Sequence, residues 1–460
     1  LKIEKQKNLL WKSYDSVTCG DFQFVFKPSS DMPTIQKIFL RIYLPLAFLL
    51  LLPEMQDRVR PNLRGLIWSE CEGYYIYLPG VFILKDVHKI QPGSMWPMKN
   101  DQGEMVLIYT CGVAIFEAPL FFVARAYAAI NTWDADDYFR EPYCWSVAYT
   151  GYIVCFLGLF FLRKALLRQH SEWTVFCTLA AVYAGTNLFH YGTKELGMSH
   201  VYSFFLFSFL VWHTPRFFEK PTWRNAALIG GTLGWMVLVR PTNAVGALFV
   251  LLYDVYTIAA FKARIQWLWS HWKQLSVAAA TAFLFFIPQM MYWHEMTGHW
   301  AYYSYGEFSF KYWNKPKIAA VLFDSQNGLF LYSPMALVMV AGIFMGWRQK
   351  KHQALSIALI FASSTYLFAS WWAWWFGGAF GHRSYVELYA LLALPLAGVF
   401  DKILALRNKW LQSAILLVLA FLIFYSVRLS YLYHIIGQPW DGPEWRWSLT
   451  KMQWIWSHLF

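Results

Sequence analysis

Apolar runs recur along the chain at 38–53, 142–162, 174–191, 198–214, 225–239, 243–261, 275–293, 329–347, 353–371, 384–400 and 410–431, each bounded by charge, proline or Trp/Tyr. A helix needs about 20 apolar residues to cross a bilayer core, so the pattern predicts an all-α polytopic transmembrane bundle of about eleven spans. Basic clusters fall at every second connection: Arg163/Lys164/Arg168, Arg216/Lys220/Arg224, Lys262/Arg264/Lys273, Arg348/Lys350/Lys351 and Lys402/Arg407/Lys409. The bias of lysine and arginine toward cytoplasmic loops puts these inside, together with a lysine-rich N-terminal tail over 1–37. The transmembrane domain then covers 38–432, with large outer regions at 54–141 and 294–328 and an outer C-terminal segment at 433–460. The apolar stretch 105–128 carries Glu117, Pro119 and Arg125. Counting it as a span would invert every later loop, so it reads as an interfacial or re-entrant helix on the outer side. Residues 73–89 read as a second interfacial helix, with Tyr74, Tyr77, Leu78 and Val81 on one face and Lys85 and Lys89 free to snorkel.

Composition agrees with lipid-facing walls. Hydrophobic residues make up 58% of the chain and charged residues 14%, where a soluble domain carries about 25% charged. Mean hydropathy is +0.33. Aromatics reach 20%, with 26 Trp, which suits extensive interfacial regions. The net charge of +12 is dispersed in short loop clusters rather than gathered on one face, which argues against a nucleic-acid partner. Six cysteines without CxxC spacing predict neither a disulfide framework nor a zinc site. The first apolar run follows a long mixed tail and reads as an uncleaved span rather than a signal peptide.

Residues able to do chemistry collect on the predicted outer side. The first outer region contains Glu70-Cys71-Glu72-Gly73-Tyr74-Tyr75; later ones contribute His190, Lys194, Glu195 and His200, then Arg240, and finally the run Trp371 to His382-Arg383. ATP and nucleotide sugars are scarce outside the cytoplasm, so an activated substrate there is best supplied on a lipid carrier. Arg383, Arg240 and Lys194 are candidate partners for its phosphate, since a guanidinium fork can hold two phosphate oxygens.

Glu72-Gly73-Tyr74-Tyr75 after the first span resembles the acidic-plus-aromatic signature of GT-C membrane glycosyltransferases, in the branch of protein O-mannosyltransferases and lipid A aminoarabinose transferases. Gly377 to Arg383 resembles their glycine-rich motif ending in arginine, and Arg240-Pro241-Thr242-Asn243 an Arg-Pro turn at a helix end. Cys71-Glu72 stands where an Asp-Glu pair is common. The resemblance implies a polyprenyl-phosphate sugar as donor, inversion at the anomeric carbon, and an acceptor hydroxyl on a glycan, lipid or protein. With the polar residues gathered on the outer side, the reaction centre is expected to face the periplasm of a bacterial inner membrane or an equivalent lumen. Inversion needs a carboxylate base. Glu72 is the first choice and Glu70 the second, with Arg383, then Arg240 and Lys194, on the donor phosphate. His382, His200, Tyr74, Tyr75 and Tyr305, the last in the aromatic loop Trp300 to Trp313, are candidate substrate contacts. No cofactor is called for; a divalent metal on the glutamate pair is the less favoured alternative. Asp134-Ala-Asp136-Asp137 reads as a surface loop, and His294 to His299 lacks the spacing of a zinc protease. The competing function is a flippase or transporter of a lipid-linked substrate, which needs a polar path through the bundle rather than chemistry gathered at one face.

Overall fold

The computed structural model describes residues 34–94, 98–100, 102–134, 137–346, 351–433 and 449–460. Residues 1–33 of the N-terminal tail, with Cys19, together with Asp136, Arg348 and Lys350, lie outside the described residues, as do 434–448 of the expected outer C-terminal segment.

The regular structure of the described residues is almost all helix. Helix α1 (Thr34–Val59) is followed by two six-residue helices, α2 (Glu70–Tyr75) and α3 (Tyr77–Phe82). A two-stranded antiparallel hairpin comes next, β1 (Met98–Lys99) with β2 (Met105–Val106). The long helices α4 (Gly112–Ile130) and α5 (Glu141–Leu166) are joined to α6 (Glu172–Ala184) and the short α7 (Leu188–Thr193). Then come α8 (Ser199–Glu219), α9 (Trp223–Val239), α10 (Ala247–Leu251), α11 (Ile258–Ser270) and α12 (Trp272–Thr297). The remainder is α13 (Ile318–Phe323), α14 (Leu329–Tyr332), α15 (Met335–Gly346), α16 (Lys351–Ser370), α17 (Tyr389–Leu404), α18 (Lys409–Leu432) and α19 (Leu449–Ser457).

Six helical stretches are long and apolar enough to cross a bilayer: Ile38–Asn62, Gly112–Ile130, Glu141–Leu166, Trp272–Thr297, Gln353–Ser370 and Lys409–Leu432. All but the second coincide with expected spans. The other expected spans form helices that are shorter, broken or more polar. The clearest case is 243–261, expected as one span. Pro241 opens a 3-10 turn over Pro241–Gly246, α10 lasts five residues, and Asp254 at φ 58 turns the chain before Thr257 caps α11. Residues 73–89 likewise do not form one helix. α3 stops at Phe82, Lys85 turns left-handed at φ 54, and Asp86 accepts the His88 amide to start a separate 3-10 turn.

Close helix packing rests on small residues. On α9, a Cβ at Gly230 would fall 1.9 Å from the Ala278 carbonyl oxygen of α12, and one at Gly234 would fall 2.5 Å from that of Ala282.

The two ends of the bundle differ. At one end Arg163 reaches the Leu40 carbonyl and Glu172, Arg168 pairs with Glu219, His170 with Asp401, and Lys402 with the Met345 carbonyl. The basic clusters on α5, α8 and α17 thus share one end, here called the basic end. The other end, the aromatic end, gathers α2, α3, the start of α8, the end of α9 and the glycine-rich run before α17. Helix α4 meets the length and hydropathy of a span, yet both its ends lie at the aromatic end. Gly112 abuts the backbone of Leu238 and Val239, and just beyond Ile130 the Trp133 ring sits 4.5 Å from the guanidinium of Arg140 at the head of α5.

Candidate functional site at the aromatic end

Three chain segments bring the charged groups together. The first is the turn before α2. Ser69 is held at φ 55, an uncommon conformation for a residue with a Cβ. Its amide donates to Ser94 Oγ at 2.7 Å. The turn sends the carboxylate of Glu70 onto Arg383 Nη2. The second segment is the end of α9. A residue preceding proline is pushed out of the helical region, and Arg240, before Pro241, is extended at φ −152, ψ 122. That ends the helix and turns the guanidinium inward. The third is the glycine-rich run. Gly381 sits at φ +64, where a Cβ would also fall 2.8 Å from Tyr332 Cβ, so glycine is required there. Asn187 Nδ2 holds the Phe380 carbonyl, Tyr433 that of Gly378, and Asn327 those of Trp375 and Gly377. Arg383 then opens a buried 3-10 turn.

The result is a buried network. Arg240 donates from Nη1 to Ser199 Oγ (3.2 Å) and His200 Nε2 (3.4 Å), and from Nη2 to Ser384 Oγ (3.2 Å). Its Nε lies 3.5 Å from Glu387 Oε1, while the other Glu387 oxygen is 3.2 Å from His200 Nδ1. With a donor-only guanidinium on Nε2 and a carboxylate on Nδ1, His200 is the neutral Nδ1–H tautomer. Tyr74 donates to Ser199 Oγ at 3.2 Å and packs against Tyr109, whose ring meets Tyr305, which in turn meets Trp371 edge-on.

Burial disfavours the cation of Arg383, but Glu70 outweighs it and holds the guanidinium above its ordinary value; Glu387 does the same for Arg240. Burial pushes the phenols of Tyr74 and Tyr109 up and that of Tyr305 to about 12, so all three are neutral donors near pH 7. Burial lowers His382 to about 3. Its Nε2 donates to the Trp374 carbonyl at 3.0 Å. Buried Nε of Arg383 and Nδ1 of His382 have no hydrogen-bond partner. A buried donor left unpaired is costly, and Arg383 Nε is such a donor.

The candidates named from sequence separate into groups. Glu70, Arg383, Arg240, His200, Tyr74 and Tyr305 come together, with His382 directly behind Arg383. Glu72 does not join them. Its carboxylate accepts the amides of Gly93 (2.7 Å) and Ser94 (2.8 Å) and the Ser94 hydroxyl. Tyr75 points elsewhere too, donating to the Tyr138 carbonyl. Lys194 keeps different company: burial first and then Arg58 hold its ammonium down to about 8, with Glu195 opposing. Sequence reasoning missed Glu387, Ser199, Ser384 and Tyr109. The signal for Glu387 was present, since a carboxylate inside the predicted span 384–400 is itself a functional flag.

Among the described residues no group of three or more His, Cys, Asp or Glu side chains is placed to hold a metal ion. A separate small cavity lined by Arg168, His170, Tyr253 and Gln353 lies at the basic end, away from this network. Comparison with protein-family models, curated proteins and solved structures gives no match.

Proposed function

We propose that the chain is a membrane glycosyltransferase that moves a sugar from a polyprenyl-phosphate donor to an acceptor hydroxyl, working at the aromatic end of the bundle. The observation that carries this reading is the Glu70–Arg383 pair: one guanidinium holds a carboxylate by Nη2 and leaves its buried Nε unpaired beside a second arginine, Arg240. That arrangement suits a reaction needing a base and an anion partner a few ångströms apart.

In this reading the bundle has about eleven spans with GT-C-like topology, α4 lies along the outer interface, and the aromatic end faces the periplasm. The donor phosphate docks on the free edge of Arg383 and on Arg240. The acceptor oxygen attacks the anomeric carbon from the face opposite the phosphate. Its proton passes to Glu70, the bond from the anomeric carbon to phosphate oxygen breaks, and the electron pair leaves with the lipid phosphate. The paired guanidiniums stabilise that developing charge, and configuration inverts. Tyr74, Tyr109 and Tyr305 offer neutral hydroxyls and ring faces to the sugar. Glu70 takes the base role in preference to Glu72, whose two carboxylate oxygens are both held by hydrogen bonds from the 93–94 loop. The chemistry gathers at one end, which favours transfer over transport.

The test is release of label from a panel of radiolabelled polyprenyl-phosphate sugars by purified protein in nanodiscs, with membrane extract as acceptor. Consumption of one donor with label appearing in the extract supports transfer. Retention of every donor intact, at concentrations where it binds, rejects it.

A further inference from the structure

A second basic site stands apart from the Glu70–Arg383 network, where the ends of α1 and α18 meet the turn after α7. Arg58, at the end of α1, has a side chain only 7% exposed. Its Nη2 donates to the hydroxyl (2.7 Å) and carbonyl (3.1 Å) of Ser430 on α18. The guanidinium lies 4.6 Å from the Tyr431 ring centroid and 5.1 Å from that of Phe189. One edge is therefore fixed and its faces are packed, but Nη1 is buried without a hydrogen-bond partner. Lys194 caps α7, the helix whose Phe189 packs on the Arg58 guanidinium, and the two cations repel: Lys194 is held down to about 8 by burial and next by Arg58.

Neighbouring carboxylates do not fill the gap. Glu54 accepts the Tyr431 hydroxyl at 2.5 Å and approaches Arg58 only at 4.0 Å, by Nε. Glu195 is 3.2 Å from His190 Nε2. A directional chain accounts for that contact. Ser430 Oγ, already accepting from Arg58, donates to His190 Nδ1 at 2.9 Å, so His190 presents Nε2–H to Glu195. This chain orients Glu195 and fixes Arg58, and leaves the Nη1 edge and the Lys194 ammonium without an acceptor. Two cations, one of them buried, fixed by Ser430 and unpaired at Nη1, form an incomplete anion site.

We propose that Arg58 and Lys194 bind the phosphate of a membrane-anchored amphiphile where the ends of α1 and α18 meet the end of α7. Tyr431, whose ring lies against the Arg58 guanidinium, is 43% exposed and stands at the end of two helices apolar enough to span a bilayer. An acyl or isoprenoid tail can lie along those helices while the phosphate enters between them. The ligand chemistry is the same for a phospholipid and for an isoprenoid phosphate. The site does not depend on the transfer reading, since it shares none of the residues assigned there.

The experiment is native mass spectrometry of detergent-purified protein titrated with phosphatidic acid, farnesyl phosphate, phosphatidylcholine or inorganic phosphate. Wild type is compared with Lys194→Met and Arg58→Lys. Lys194 has a partly exposed side chain, so Lys194→Met keeps the test valid even where the Arg58 variant folds poorly. The difference between proteins cancels any lipid held at Arg383. Lys194→Met is expected to weaken at least one phosphate lipid by about tenfold or more, as loss of a charged hydrogen bond implies, with phosphatidylcholine unchanged. The lipid that responds identifies the source. Identical titrations for wild type and Lys194→Met overturn the proposal, and so does a change confined to inorganic phosphate. Persistence of the Lys194→Met difference in an Arg383→Ala background separates this site from the transfer chemistry, and its disappearance there overturns the assignment to Arg58 and Lys194.

Discussion

The basic and aromatic ends of the bundle both carry ion pairs, but in opposite physical states. At the basic end Arg168 and Glu219 are 30% and 56% exposed, so water and salt screen them and the pair contributes little. At the aromatic end Arg240 and Glu387 are 12% and 2% exposed, and each charge removed from water costs several kcal/mol. Charges buried at that cost, with donors left unpaired at Arg383 and Arg58, are poor devices for stability. The anion sites proposed above rest on this burial and on these unpaired donors. The positive clusters conspicuous in the sequence are therefore the less informative ones.

That contrast breaks first at Arg240. Arg240→Met leaves Glu387 buried without its ion-pair partner and is expected to destabilise the protein by about 3–5 kcal/mol, read as a drop in thermal midpoint in detergent. Adding Glu387→Leu should recover much of the loss, because the uncompensated charge is gone. If the double variant is no better than the single one, the buried-charge account fails. Glu72→Gln comes next. It weakens the charged acceptor of two amides and a hydroxyl, so a loss of about 1–3 kcal/mol is expected, with protease sensitivity rising around residues 91–94. Through Ser94, which also accepts the Ser69 amide, this substitution loosens the turn that aims Glu70. Glu72 is in this sense a positioning residue.

At the basic end Arg168→Ala should shift stability by less than about 1 kcal/mol; a larger effect would erase the distinction between the ends. The smallest effect belongs to His88, which joins Glu104 (3.1 Å) to Glu295 (3.4 Å) on the exposed surface. Slight burial opposes its protonation, but hydrogen bonds to Glu295 and then Glu104 outweigh this and raise it. Asp86 adds to the attraction, and Asp86 itself pairs with Lys89. A raised value means that the clasp contributes fully below the unfolded value of about 6.5 and weakens as pH rises through the folded one. Proteolysis near 98–106 should increase modestly over that window, and His88→Gln should remove the pH dependence.

Much of the helical framework was legible because length and hydropathy leave few alternatives for runs such as 142–162 and 410–431. Breaks inside apolar segments were less so. Pro241 is visible in the sequence, but that Arg240 is thrown into the site by it depends on what α8 and α17 bring alongside. Glu70 and Glu72 show where pattern stops being sufficient. Residues two apart in a helix point to nearly opposite sides, so the sequence could say that only one meets a given partner. Which one required knowing that the 93–94 loop folds back onto Glu72. Glu387 was hidden by its apolar surroundings, and Lys194 was assigned with Arg383 because sequence order carries no distance between outer loops.

The most direct test of the central claim is donor turnover by Glu70→Gln and Glu72→Gln side by side, with the responsive polyprenyl-phosphate sugar. The account predicts that Glu70→Gln loses activity by at least about 100-fold while still binding donor, and that Glu72→Gln keeps measurable turnover once folded protein is counted. Full activity in Glu70→Gln, with none in a folded Glu72→Gln, would contradict it and return the base to Glu72.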